Sequence, residues 1–142
     1  MNNGNSNDRL EQVNRLLEKV LGPGERLPEI LTTSGFSLTQ VEILFRDYLE
    51  TYLDSIVAYI RETCSGSSDE PRRHDMMLRY YGLAESGKET LKSIGKNYNL
   101  SSERVRQLIL LRFYTMREPS YQQSLRDHLK QTAHQILDEP IS

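Results

Sequence analysis

The sequence predicts an all-α fold, a helical bundle containing a helix-turn-helix. Three observations predict it. Apolar residues recur at three- and four-residue steps along most of the chain. No stretch alternates like a strand for more than four or five residues. Glycine, proline and serine or threonine signals fall between the periodic segments, where helices stop and start.

Residues 1–7, Met-Asn-Asn-Gly-Asn-Ser-Asn, are polar and low in complexity and predict a disordered tail. From about Asp8, Leu10, Val13, Leu16, Leu17, Val20 and Leu21 mark an amphipathic helix, stopped by Gly22-Pro23-Gly24. A short helical stretch follows from about Pro28 to Thr33, with Ile30 and Leu31 on its apolar side and Gly35 at its end. Ser37 and Gln40 then have capping-box spacing, and Phe36 and Val41 have that of a hydrophobic staple. They predict one helix from Leu38 to Thr63, nearly 40 Å long at ~1.5 Å per residue. Its apolar stripe runs through Leu44, Leu49, Leu53, Ile56 and Ile60. The region 8–63 is expected to serve a partner or self-association, a homodimer forming through the 38–63 helix. Residues 27–44 partly repeat helix-turn-helix spacing. Leu31 and Ser34 break the pattern, and the segment reads as an αα-corner.

Residues 64–70 predict a linker, and Pro71 suits the first turn of a helix ending near Tyr81, with Gly82 as its cap. Ser86-Gly87 marks a loop. Residues 71–118 form the predicted central unit. Pro119 breaks the chain, and Ser120 with Gln123 suggests a capping box. Residues 119–138 then carry Leu125, Leu129, Ala133, Ile136 and Leu137 on one face of a last helix.

The 142 residues suit one domain with a helical appendage, long enough to bury a core without staples. The single cysteine, Cys64, excludes an internal disulfide and fits a reducing, cytoplasmic setting. No apolar run approaches the ~20 residues of a membrane span, and no signal peptide is expected. Net charge is −2, which excludes a chain that coats nucleic acid wholesale but not a local basic face. Residues 1–65 carry −4, residues 66–118 carry +3 and residues 119–142 carry −1. Within 88–117, seven basic residues face two acidic ones, a candidate anion-facing segment.

Residues 91–110 fit a helix-turn-helix where its geometry is most demanding. Ile94 and Tyr98 stand at core positions, and Gly95 where the crossing helix leaves little room. Asn99 takes the turn position that needs a left-handed backbone. Leu100, Val105 and Leu108 fill the remaining apolar slots. Ser101 is the N-cap expected for the second helix, about Ser102 to Phe113. Its exposed start carries Ser102, Glu103, Arg106 and Gln107, the candidate base contacts. There glutamine suits adenine, arginine guanine or phosphate, and glutamate cytosine. Lys88, Thr90, Lys92, Lys96, Arg104 and Arg112 are the candidate phosphate contacts. The apolar run Leu108–Leu111 cannot all face one small core. Ile109, Leu110 and Leu111 are therefore expected to meet another element or another chain.

The segments Leu78-Arg79-Tyr80-Tyr81-Gly82-Leu83, Thr90-Leu91-Lys92-Ser93-Ile94-Gly95 and Ser101-Ser102-Glu103-Arg104-Val105-Arg106-Gln107 resemble the fourth domain of bacterial housekeeping-type sigma factors over about residues 71–118. The resemblance implies binding to the upstream (−35) promoter element and packing on the β flap of the RNA polymerase core. It also implies Glu103 and Gln107 as base readers and Arg106 as a base or phosphate contact. The family usually carries a base-reading arginine where Ser102 stands, so its promoter-element specificity does not carry over there. The family's upstream DNA-melting and core-binding parts have no counterpart in this sequence.

Other chemistry is not indicated. His128 and His134 are six apart on different helix faces, and no Cys-x-x-Cys exists. His74 sits among charges and is expected at the surface. No metal, cofactor or catalytic group is expected, and the chain does not read as an enzyme. The function expected is a DNA-binding transcription regulator that reads duplex DNA through a major-groove helix. The alternative is a protein-interaction module that uses the sigma-like fold to dock on RNA polymerase or another regulator, with little DNA binding.

Overall fold

The computed structural model describes residues 2–63, 70–84 and 87–138, and the side chains of 7–63, 72–84 and 87–138. Residues 64–69 of the expected linker, with Cys64, and Ser86 of the expected loop lie outside the described residues. The described residues form eight helices and no strand: α1 (Asn2–Leu21), α2 (Leu27–Thr33), α3 (Leu38–Asp47), α4 (Leu49–Glu62), α5 (Glu70–Tyr80), α6 (Leu91–Tyr98), α7 (Ser102–Met116) and α8 (Pro119–Asp138). The fold is all-α, as the periodicity predicts. Among the described residues no helix is long and apolar enough to cross a membrane.

Helix α1 extends to Asn2, so residues 2–7 are helical where their composition predicts a disordered tail. Adding residues to a formed helix is far easier than starting one, and the apolar face from Leu10 to Leu21 already supplies the start. Val13, Leu16, Leu17 and Val20 are fully buried on that face. The Asn14 side chain accepts from the Leu27 backbone N–H at 2.8 Å and so caps the start of α2 from a distance.

The expected single helix over 38–63 is two helices bent at Tyr48, whose φ of −131° and ψ of 18° leave the helical range. The ladder still spans the bend: Tyr48 N–H donates to Leu44 O and Tyr52 N–H to Tyr48 O, each at 3.0 Å. The bend lets α3 lie on α2 while α4 lies on α1 and α5, with both against α8. The capping box at Ser37 and Gln40 forms in both directions. Val41, Leu44, Leu53, Ile56, Val57 and Ile60 are all buried inside the chain, so the stripe meets this chain's own helices.

At α8 the expected capping box of Ser120 and Gln123 is not formed. Pro119 opens the helix and Gln122 N–H donates to Glu118 O at 3.0 Å. The Gln123 side chain donates instead to Asp127, and that of Gln122 to Val20 O on α1 at 2.8 Å. Proline fixes φ near the helical value and has no N–H to satisfy, so the helix starts at Pro119, two residues before the start that a Ser120 cap would give. Helix α8 returns across α2, α3 and α4. There the buried Tyr52 hydroxyl donates to Leu129 O at 2.8 Å. The remaining helices, α5, α6 and α7, pack on one another and meet the rest chiefly through α1 and α4, with Arg112 of α7 against Tyr121 of α8.

Candidate nucleic-acid interface

Helices α6 and α7 build the unit that the spacing over 91–110 predicts. Thr90 caps α6, its hydroxyl accepting from Ser93 N–H at 3.0 Å. The helix ends at Asn99, with φ 59° and ψ 44°, the one non-glycine residue with positive φ among the described residues. Leu100 N–H then donates back to Gly95 O at 2.8 Å, the closing bond of a left-handed helix stop. Ser101 starts α7 by accepting from Arg104 N–H at 3.1 Å. A Cβ on Gly95 would stand 2.4 Å from Leu100 O, so the crossing tolerates glycine alone. Ile94, Val105 and Leu108 are buried between the helices.

Helix α5 braces this pair through a charged network that the sequence reading did not foresee. Arg79 donates to Asp75 and to Glu89, each at 2.8 Å. Tyr98, at the end of α6, donates to the same Asp75 carboxylate. Partial burial and that carboxylate push the Tyr98 hydroxyl up to about 12. The Asp75 bond, reinforced by Glu89, raises Arg79 further above its usual value. The i, i+4 spacing of Asp75 and Arg79 is the one sequence signal of it.

Ser102, Glu103, Arg104, Arg106 and Gln107 are all exposed along the first turn and a half of α7. Arg106 pairs with Glu103 and holds its carboxyl below the usual carboxylate range. Arg104 Nη1 donates to Gln107 Oε1 at 3.4 Å. Exposed pairs at this spacing cost little to break, so these side chains are free to exchange one another for an incoming ligand. Lys92 and Lys96 are exposed on α6. Lys88 stands apart from them, lining a cleft with Arg15 and Lys19 of α1 and with Tyr80 and Tyr81.

Thr90 is exposed and caps α6, where the orphan N–H groups lie, and its own O–H remains a donor that suits a phosphate. Three expected placements change. Arg112 is buried, at 3 % exposure, with its guanidinium 5.7 Å from the Tyr121 ring. It falls on the inward stripe Val105, Leu108, Ile109, Arg112, Phe113 and Met116, a three- and four-residue spacing that was present in the sequence. Ile109 is buried on that stripe, so of the three expected interface residues only Leu110 and Leu111 are exposed, joined by Tyr114. His74, expected at the surface, is buried next to Met77 and Leu78 on the inner face of α5.

Beside α7 the structure forms a second feature absent from the sequence reading. Tyr80, Tyr81, Leu91, Ile109, Leu110 and Phe113 line a cleft of ≈ 350 Å³ rimmed by Lys19, Arg106 and Arg117. Tyr81 meets Phe113 edge-on at 5.7 Å, and Arg117 anchors on Lys19 O at 2.7 Å. Among the described residues no three His, Cys, Asp or Glu side chains gather as a metal site.

The chain is similar to RNA polymerase sigma factors over about half to three quarters of its length. It is 32% identical over 104 residues to the RNA polymerase sigma-C factor of Nostoc sp., covering 73% of this chain and 22% of that protein. It is 29% identical over 87 residues to the RNA polymerase sigma factor SigA of the same organism, covering 61% of this chain and 19% of that one. With SigA of Clostridium acetobutylicum it shares 32% over 59 residues, covering 42% of this chain and 16% of that one. The chain thus spans about a fifth of the length of these relatives. No protein-family model and no solved structure matches it.

Proposed function

We propose that this chain is a DNA-binding transcription regulator that reads duplex DNA by placing the start of α7 in the major groove. The observation that carries the reading is the crossing at Gly95 and Asn99, with Ser102, Glu103, Arg106 and Gln107 exposed on the next helix. A helix entering the groove by its N-terminal end reaches base edges with those residues. Gln107 suits a bidentate contact to adenine, Arg106 to guanine, and Glu103 an amino group of cytosine. Lys92, Lys96, Arg104 and, from its separate cleft, Lys88 add phosphate attraction. The similarity to sigma factors supports the reading, and residues 71–118 would form its DNA-reading unit.

The second reading is docking on RNA polymerase, through the β flap that the sequence resemblance implies. The cleft lined by Tyr80, Tyr81 and Phe113 favours it. On this reading the chain joins a larger assembly, which a single short recognition helix needs for specific binding.

Duplex binding of the full chain at several salt concentrations tests the first reading. Binding with a steep salt slope is expected. Gln107→Ala and Arg106→Ala, both at exposed positions, should each weaken it about tenfold or more while leaving the thermal midpoint unchanged. Absence of duplex binding, together with capture of purified polymerase core, would replace it with the second reading.

A further inference from the structure

Resting on that DNA-reading proposal, we infer that the reading surface continues past Gln107 into Leu110 and Leu111, which take the C5-methyl groups of thymines. The inward stripe of α7 fixes the helix's rotation: Val105, Leu108, Arg112 and Met116 point into the protein. At 3.6 residues per turn the opposite line runs through Glu103, Gln107, Leu110 and Tyr114. Leu111 lies to one side of that line, next to the ridge of Arg104 and Gln107. The burial pattern matches this rotation, with Leu110 50 %, Leu111 44 % and Tyr114 77 % exposed.

Leu110 on that line and Leu111 beside it each keep about half of their surface in water, and Leu110 also borders the cleft lined by Tyr80 and Tyr81. Their occupant is the DNA that Gln107 meets. Leu110 lies about 4.5 Å further along the axis than Gln107, little more than the ~3.4 Å of one base-pair step. A helix whose first turn and a half reads one or two base pairs therefore brings Leu110 over the next. The major-groove edge of a base pair offers one apolar group, the thymine methyl, and leucine can meet it without leaving a polar group unpaired. Tyr114, about 6 Å beyond Leu110, stands where the helix leaves the groove, with its hydroxyl available to a backbone phosphate. The site that α7 prefers should then carry thymine beside the pairs read by Arg106 and Gln107. This supplies specificity where Ser102 supplies little.

The test uses the full chain and a random duplex library. Bound duplexes are enriched, and the preferred one is remade with deoxyuridine in place of each thymine in turn. Deoxyuridine pairs identically and lacks only the methyl. The expected result is a loss of about fourfold at one or two adjacent positions, the scale of one buried methyl. That loss should vanish in Leu110→Ala or Leu111→Ala, whose half-exposed side chains leave folding intact by thermal midpoint. If a duplex is enriched but every deoxyuridine form binds as tightly as its thymine parent, the inference is overturned and the DNA-reading proposal stands. If both alanine variants keep the full deoxyuridine loss, the methyl is read elsewhere and the inference is again overturned. If no duplex is enriched at all, the DNA-reading proposal itself fails, and the inference with it.

Discussion

Gly95 and Leu100 meet backbone to backbone. The Leu100 N–H donates to Gly95 O at 2.8 Å, and the Leu100 carbonyl oxygen sits 2.4 Å from where a Cβ on Gly95 would stand. The atom in the way is main chain, so it cannot swing aside as a flexible side chain would. Gly95→Ala should therefore cost about 1–3 kcal/mol through overpacking, despite the better helix propensity of alanine. A lower urea midpoint with an unchanged slope is expected, together with weaker duplex binding as α6 and α7 splay. Equal stability would mean that the two helices do not cross this tightly.

Asn99 supplies the turn with a left-handed backbone. Asn99→Gly should be neutral or slightly stabilising, because glycine adopts that region freely. Asn99→Ala should lose roughly 1–2 kcal/mol, the steric cost of a Cβ there. Parallel thermal melts of the two variants check the ordering. The opposite order would place the strain elsewhere.

Buried Arg112 and the exposed lysines should separate cleanly. Lys92→Ala and Lys96→Ala are expected to leave stability unchanged and to reduce the salt dependence of duplex binding by about one unit of slope each. Arg112→Ala empties a buried position beside Tyr121 and should lower stability by at least about 2 kcal/mol. Duplex titrations at five salt concentrations, run beside urea melts, distinguish the two behaviours.

His128 gives the fold a pH dependence on the acid side. Its ring stacks on Tyr59 with centroids 4.1 Å apart, and Nε2 lies 3.3 Å from Ser55 Oγ. Partial burial between α4 and α8 holds its pKa below the usual histidine value. The folded state therefore binds fewer protons at this site than the unfolded state does. Its contribution to stability is present above the unfolded pKa of about 6.5 and is lost as pH falls through the lower folded value. Urea midpoints should decline from pH 7.5 to 5.5 in the parent and decline less in His128→Gln. An equal decline in both would assign the dependence to other groups.

Tyr98 does the converse on the alkaline side. Its hydroxyl, raised to about 12 by burial and by Asp75, contributes stability that is whole below pH 10 and fades as pH climbs toward 12. Tyr98→Phe should flatten that alkaline decline while costing some stability at neutral pH, read by the same melts from pH 8 to 11.5.

The helix-turn-helix was legible because each of its constraints acts within a few residues. A serine before the first turn, an asparagine at the stop and a glycine one turn earlier are demands of the backbone itself. The same local logic located the Ser37 capping box and the turn at Gly22-Pro23-Gly24. It placed the start of α7 correctly, and with it the exposed Ser102, Glu103, Arg106 and Gln107. It erred where a residue type was read without its helix phase. Arg112 was assigned to the surface on charge alone, although its spacing from Leu108, Ile109 and Met116 put it on the inward stripe. His74 was assigned outward because its neighbours in sequence are charged, although Met77 and Leu78 lie one turn further on the same face.

By itself, then, the sequence determined which segments are helices, where most of them begin and end, and how α6 turns into α7, because propensity, capping and left-handed stops are settled by neighbouring residues. Only the tertiary structure decided the bend at Tyr48, the return of α8 across α2, α3 and α4, and which of three successive apolar residues stay in water. Those outcomes depend on how much surface distant helices offer one another. Ile109 turns inward toward α5 and α6 because an apolar side chain leaves water wherever a packed face will receive it. Leu110, about a hundred degrees further round the helix, and Leu111, about two hundred, each keep about half of their surface in water.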